Sequence, residues 1–161
     1  MDTSHQRSST NYTDEWYTPP TIFSKLGHVD LDPCSPVQPL WKIAETAYTA
    51  LDDGLSKDWK GRVWLNPPYS RPLLEQFVRR MADHNNGIML LFNRSDSRMF
   101  QEVIFPNATA MLFLKGRVKF YKPTGEQGGT AGTGSILFAF GNENAEILQN
   151  SGVPGCFLPL K

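Results

Sequence analysis

The chain is poor in the residues that build covalent or metal frameworks, and it carries no excess charge of either sign. Cys34 and Cys156 stand far apart without a Cys-x-x-Cys spacing, and the three histidines are scattered. No disulfide framework or zinc site is indicated, and both cysteines read as small apolar groups. Sixteen Lys and Arg balance sixteen Asp and Glu, so the composition does not advertise a polyanionic partner. Any contact with nucleic acid must come from a local basic patch. Long apolar runs are missing too. Ile88–Phe92 is far too short to span a bilayer, and Met1 to Thr13 lacks the apolar centre of a signal peptide. A soluble, cytoplasmic protein is the expectation. The 161 residues suit one domain with a real core and contain no internal repeat.

What the sequence does contain is a rigid tetrapeptide, Asn66-Pro67-Pro68-Tyr69, between the apolar run Val63-Trp64-Leu65 and a helix-like segment opening at Ser70. Two prolines fix two φ angles and supply no N–H, so Asn66 and the Pro67 carbonyl form a stiff acceptor pair at a strand end. An exocyclic amine on an aromatic ring is a poor nucleophile, because its lone pair is delocalised. Two acceptors that hold both amine protons favour a pyramidal nitrogen and aim its lone pair at an electrophile. Tyr69 would stack on the ring that carries the amine. Alone, Asn-Pro-Pro is also a common rigid turn.

The remaining chain alternates strands and helices. Residues 1–13 are polar and predict a flexible arm. Thr18 is expected to cap a short helix with Ile22, Phe23 and Leu26 on one face. Val29 to Leu31 predicts a strand that delivers Asp32-Pro33-Cys34 to its carboxyl end, where open parallel sheets bind ligands. Residues 36–60 are the least legible. Asp52-Asp53-Gly54 within them reads as an ordinary turn. Leu73, Leu74, Phe77, Val78 and Met81 have helical spacing, with Arg79 and Arg80 on a solvated face. Asn85-Asn86-Gly87 ends that helix, and Ile88–Phe92 predicts a buried parallel strand. Beyond it lie Arg94 and Arg98, read either as phosphate contacts or as plain helix-terminal charges. The following helix is expected to stop before Pro106. Ala110–Leu114 predicts another strand, and Arg117–Tyr121 alternates charge with bulk as an exposed strand would, paired antiparallel with Ser135–Phe140. The Gly-rich stretch 122–134 between them is either a mobile loop that closes on a base or an idle insertion. Glu143 to Asn150 predicts a short helix, with Phe157 to Leu160 packing on the sheet.

Four blocks occurring in order, Asp14-Glu15-Trp16-Tyr17-Thr18-Pro19-Pro20, Asp30-Leu31-Asp32-Pro33-Cys34, Asp53-Gly54-Leu55 and Asn66-Pro67-Pro68-Tyr69, resemble the phage-type DNA N6-adenine methyltransferases of the Dam family. The resemblance implies an α/β, Rossmann-like, S-adenosylmethionine-dependent methyltransferase sheet, mostly parallel with a terminal antiparallel strand pair and truncated at one edge. One methyltransferase domain over residues 14–161 is expected, with no room for a separate target-recognition domain and a phage or prophage origin. It further implies methyl transfer to the N6 amine of adenine in flipped-out DNA, with Asn66, Pro67, Pro68 and Tyr69 catalytic. S-adenosylmethionine would be held by Tyr17, Thr18, Pro19, Asp32, Pro33, Cys34, Asp53, Leu55 and Asn66, with Glu45 a weak candidate for its ribose. Tyr69, Arg94, Arg98, Arg117 and Lys119 would contact DNA. No metal, membrane or obligate protein partner is implied. The sequence departs from the usual methyltransferase pattern where Ser35-Pro36 replaces a Gly-x-Gly loop. RNA adenine, protein glutamine, or DNA binding without catalysis by a decayed relative are the alternatives.

Overall fold

The computed structural model describes residues 17–129 and 131–161. The expected flexible arm and the Asp14-Glu15-Trp16 part of the resemblance lie outside the described residues. Among the described residues seven strands form one sheet: β1 (Leu31–Asp32), β2 (Thr46–Ala47), β3 (Val63–Leu65), β4 (Gly87–Phe92), β5 (Ala110–Leu114), β6 (Ser135–Phe140) and β7 (Gly155–Pro159). Their order is β2-β1-β3-β4-β6-β5-β7. The first four in space are parallel, β6 is antiparallel to both of its neighbours, and β7 is antiparallel to β5. The fold is therefore mixed α/β, parallel at one end of the sheet and antiparallel at the other.

The helices are α1 (Pro20–Phe23), α2 (Leu73–His84), a π-helical turn (Phe100–Ile104) that runs into α3 (Phe105–Asn107), and α4 (Asn142–Asn150). They cover both faces of the sheet, which explains why β4 and β6 are apolar at nearly every position. Successive strand residues point to opposite faces. Met89 and Leu91 pack with Ile136 and Phe138 against Phe77, Val78 and Met81 of α2 and against Phe100, Val103 and Ile104. Ile88 and Leu90 pack with Leu137 and Ala139 against Ile22 of α1 and Leu148 of α4. The helix that connects parallel β3 to β4 ends as its sequence requires. Asn85 adopts the left-handed conformation, with φ 53°, and donates its N–H to Met81 O at 2.9 Å. Gly87 then lies so close to β3 that an added Cβ would run into the Val63 carbonyl and come within 2.8 Å of Met81 Cε.

Several elements differ from the sequence expectation. Arg117–Tyr121 is not the partner of β6, which lies between β4 and β5 instead. Every residue of β6 is buried, so it needs covered faces and two flanking strands. The 117–120 segment has only one buried side, with Val118 and Phe120 inward and Arg117 and Lys119 exposed. It makes a single bridge position, Tyr121, to Tyr17 and Gln127. That bridge closes part of the 122–134 stretch into a tight hairpin. Pro19, not Thr18, stands at the start of α1. The helix after Arg98 passes through Pro106 because the π turn precedes it: Phe105 N–H reaches back to Phe100 O, and Pro106 falls in the first turn of α3, where its missing N–H is not needed. β2 and β7 were not expected as strands.

At the end of the sheet where β3 begins, a buried polar network ties the layers together. Arg62 donates from Nε to Asn144 Oδ1 at 2.6 Å and from Nη1 to His28 O at 2.8 Å, while Asn144 Nδ2 donates to Asn86 Oδ1 and Phe140 O. Removing Asn144 takes the acceptor from the Arg62 Nε and the donor from the Phe140 carbonyl and the half-buried Asn86 Oδ1. Asn144→Leu should therefore lower unfolding stability by about 3 kcal/mol, measured by urea denaturation, with little change in the shape of the site at the opposite strand ends.

Candidate active site

β3 stops at Leu65, paired with Met89, whereas β4 continues to Phe92. The step leaves a cavity of about 700 Å³ beyond the carboxyl ends of β1, β3 and β4 and the start of β6. Asn66 follows the end of β3 and donates from Nδ2 to Thr18 Oγ1 at 3.2 Å. Thr18, expected as a helix cap, thus orients the amide instead, and with Nδ2 held there the amide turns its oxygen elsewhere. Pro67, Pro68 and Tyr69 also line the cavity. The Tyr69 hydroxyl accepts the Phe92 N–H at 2.8 Å, and its ring sits 5.1 Å from that of Phe92. Burial pushes the Tyr69 phenol up to about 12, against opposing pulls from Phe92 N–H and Arg94, so it remains a neutral donor.

At the β1 end Asp32 is 4% exposed. Its Oδ1 accepts the Cys34 N–H at 3.1 Å, and it has no cationic partner among the described residues. Burial raises its pKa to about 7 despite that hydrogen bond, and burial together with the Asp32 charge drives the Cys34 thiol well above its ordinary value. The Pro33-Cys34-Ser35 turn is fixed by Tyr48, whose N–H reaches Asp32 O and whose carbonyl accepts Ser35 N–H, both at 2.9 Å. Gly54 lies so tightly on this turn that a Cβ would collide with the Pro33 carbonyl. Asp53 before it is in the left-handed region, φ 56°, and lines the cavity. Trp59 Nε1 donates to Gly54 O at 2.9 Å and pins the turn.

The cavity thus brings together Tyr17, Thr18, Asp32, Pro33, Cys34, Asp53, Asn66, Pro67, Pro68 and Tyr69. Pro19 and Leu55 lie outside its lining; Leu55 packs against the core on the α2 side. Glu45 meets Lys42 at 3.4 Å on the surface. The four basic candidates are all exposed and none lines the cavity. Arg94 lies two residues past Phe92, Arg98 is paired with Glu102 at 3.2 Å, and Arg117 reaches Ala131 O at 3.5 Å. Tyr17 straps the near wall: its backbone exchanges two 2.9 Å bonds with Tyr121, and its hydroxyl donates to Gln38 O at 2.6 Å. Sequence reasoning missed Leu40, Trp41, Phe92, Phe120 and Ser135, which also line the cavity. Trp41 packs edge-on to Tyr121 at 5.0 Å, a long-range contact that no local pattern announces.

The model of the family described as DNA N-6-adenine-methyltransferase (Dam) matches residues 5–151. The chain belongs to this family. A curated relative from Escherichia phage T1, named DNA N-6-adenine-methyltransferase, is 31% identical over 111 residues, which cover 63% of this chain and 45% of the relative. The chain thus spans less than half the length of that Dam relative. No solved structure matches.

The buried carboxyl of this Dam-family chain has a readable pH signature. Because its folded pKa, about 7, lies above the ordinary 3.8, the unfolded chain loses this proton first as pH rises. Asp32 therefore lowers stability progressively between about pH 4 and pH 7, by up to about 4 kcal/mol, and no further above. Asp32→Asn should be more stable than the parent protein by a margin that grows over that window and then levels off, measured by urea denaturation from pH 4.5 to 8.5.

Proposed function

We propose that this domain transfers a methyl group from S-adenosylmethionine to the N6 amine of adenine in DNA, with the base flipped out of the helix. The observation that carries this reading is one juxtaposition: Asn66 and Pro67, just past a strand end, line a cavity whose other end holds a buried carboxyl with no cationic partner among the described residues. Family membership and the name of the phage T1 relative agree with it. So does the sheet, whose parallel strands and inserted antiparallel β6 suit a Rossmann-like methyltransferase order, with the two-residue β2 as its shortened edge.

The residues fit the cofactor. Asp32 is suited to its ammonium group and Asp53 to its adenine amine, with Thr18 and the Tyr17 segment beside its methionine end. S-adenosylmethionine supplies, when bound, an electrophilic methyl on a positively charged sulfur. The chain's own part is to hold the acceptor nitrogen. Asn66 Oδ1 and the Pro67 carbonyl take the two amine protons and keep the nitrogen pyramidal, while Thr18 fixes the amide by accepting from Nδ2. Tyr69, held by Phe92, stacks against the base. Asn66 is neutral, so it orients the amine without deprotonating it, and the amine proton leaves after transfer. The apolar walls from Trp41, Phe92 and Phe120 exclude water from a flipped base. Lys119, next to the lining residue Phe120, and Arg94, two residues past Phe92, lead the candidates for the DNA backbone, followed by Arg98 and Arg117.

Labelled cofactor offered with duplex DNA, RNA and a glutamine peptide should mark only the DNA adenine; label confined to RNA or peptide would sink the substrate assignment. Asn66→Ala should reduce transfer by at least about a hundredfold while leaving S-adenosylhomocysteine affinity within a few-fold. That affinity should itself depend on pH. The ligand ammonium needs the Asp32 carboxylate, so calorimetric titration should find binding about tenfold weaker at pH 6 than at pH 8 and nearly pH-independent in Asp32→Asn.

A further inference from the structure

Ser135 is 2% exposed, yet its hydroxyl has no hydrogen-bond partner among the described residues. It lines the cavity. A buried hydroxyl left without a partner costs roughly 1–3 kcal/mol, and its immediate surroundings offer little compensation. It opens β6 directly opposite Phe92, the last residue of β4, and the side chains of such a cross-strand pair share one face of the sheet. On that same face Leu90, Leu137 and Phe120 are apolar.

The sheet order gives this hydroxyl a definite place relative to the rest of the site. From β1 to β6 the strands run β1-β3-β4-β6, carrying in turn Asp32, Asn66 just past β3, Phe92 and Ser135. At ~4.8 Å per strand, Ser135 lies about two spacings from the Asn66 strand and about three from the Asp32 strand. The charged end of the cavity, suited to an ammonium group, and the Ser135 end therefore lie on opposite sides of the acceptor pair. A planar ring whose amine is held at Asn66 and which extends away from Asp32 runs toward Phe92 and Ser135.

We propose that Ser135 is a specificity-determining residue for the substrate base, donating its hydroxyl proton to one of the two ring nitrogens that flank the amine of adenine, N1 or N7. This rests on the adenine-methyltransferase reading above. The hydroxyl satisfies in the complex a bond that the described residues leave unmade, and it distinguishes adenine from a base whose corresponding ring position is an N–H or C–H, because the donor then meets no acceptor.

The test compares the wild-type chain and Ser135→Ala on duplexes whose target base is adenine, 1-deazaadenine or 7-deazaadenine. Unfolding midpoint and S-adenosylhomocysteine affinity are measured in parallel. Ser135→Ala should be at least as stable as the parent, because it removes an unsatisfied group, and should bind S-adenosylhomocysteine equally well. Its kcat/KM on adenine should fall about tenfold. One of the two deaza bases should already be slow with the wild type, and on that base Ser135→Ala should cause no further loss. Unchanged kcat/KM on adenine, a loss of equal size on all three bases, or weakened S-adenosylhomocysteine binding would each overturn the assignment while leaving the enzyme reading intact. Failure of the wild type to methylate any of the duplexes would remove both.

Discussion

The site depends on one step in the sheet. β4 runs three residues past the point where β3 stops, and it stops because Asn66 is followed by two prolines that cannot donate to a ladder. A strand that outruns its neighbour leaves backbone donors facing open space, and a buried unpaired N–H is costly. Asn93 N–H bonds Gly134 O across β6 at 2.8 Å, so by antiparallel alternation the N–H of Phe92 faces the β3 side. Tyr69 supplies the missing acceptor with its hydroxyl. The same tetrapeptide that ends the strand thus heals the exposed edge and turns the gap into a cavity rather than a defect.

That cavity is electrostatically lopsided. Its β1 end holds a carboxylate with no neutralising cation among the described residues, sustained by one backbone N–H and otherwise desolvated. Packing alone would favour an apolar residue there, so the buried charge is relieved either by protonation or by a cation that enters. The loop after β1 has no glycine of its own and is fixed from outside by Gly54, whose missing side chain admits the Pro33 carbonyl. The other end is apolar and aromatic. On the proposed function, a cationic chain and a planar ring would be sorted to opposite sides of Asn66 before either made a specific contact.

How much of this could be read from the sequence depended on whether the signal was local. The strand end at Asn66, the helix stripe of Phe77, Val78 and Met81, the Asn85 terminus and the Asp53-Gly54 turn were all legible, because propensity and spacing act within a few residues. Thr18 was misread as a cap, since its hydroxyl is taken by Asn66 and nothing near Thr18 in the chain announces that partner. Arg117–Tyr121 has the alternation of a strand without its ladder, because Tyr17 and Gln127 occupy its one bridged position. Trp41, Phe120 and Ser135 are invisible as cavity residues for the same reason: each joins the lining only when distant segments meet.

Polar groups are distributed differently between the two ends of the sheet. Where β3 begins, Arg62, Asn144 and Asn86 satisfy one another and lock β3, β4, β6 and α4 into fixed relation. With both sheet faces already sealed by apolar packing, the cavity lined by Asn66 and Asp32 lies past the opposite strand ends. There the polar groups are incompletely satisfied, with a carboxylate lacking a cation and a hydroxyl lacking a partner among the described residues. A molecule built from the same physics at both ends would have closed this gap with side chains. That it leaves a buried carboxyl and a buried hydroxyl at a cavity with mostly apolar walls, on a frame held rigid from the far side, is the condition under which bound groups are oriented by the protein and not by water.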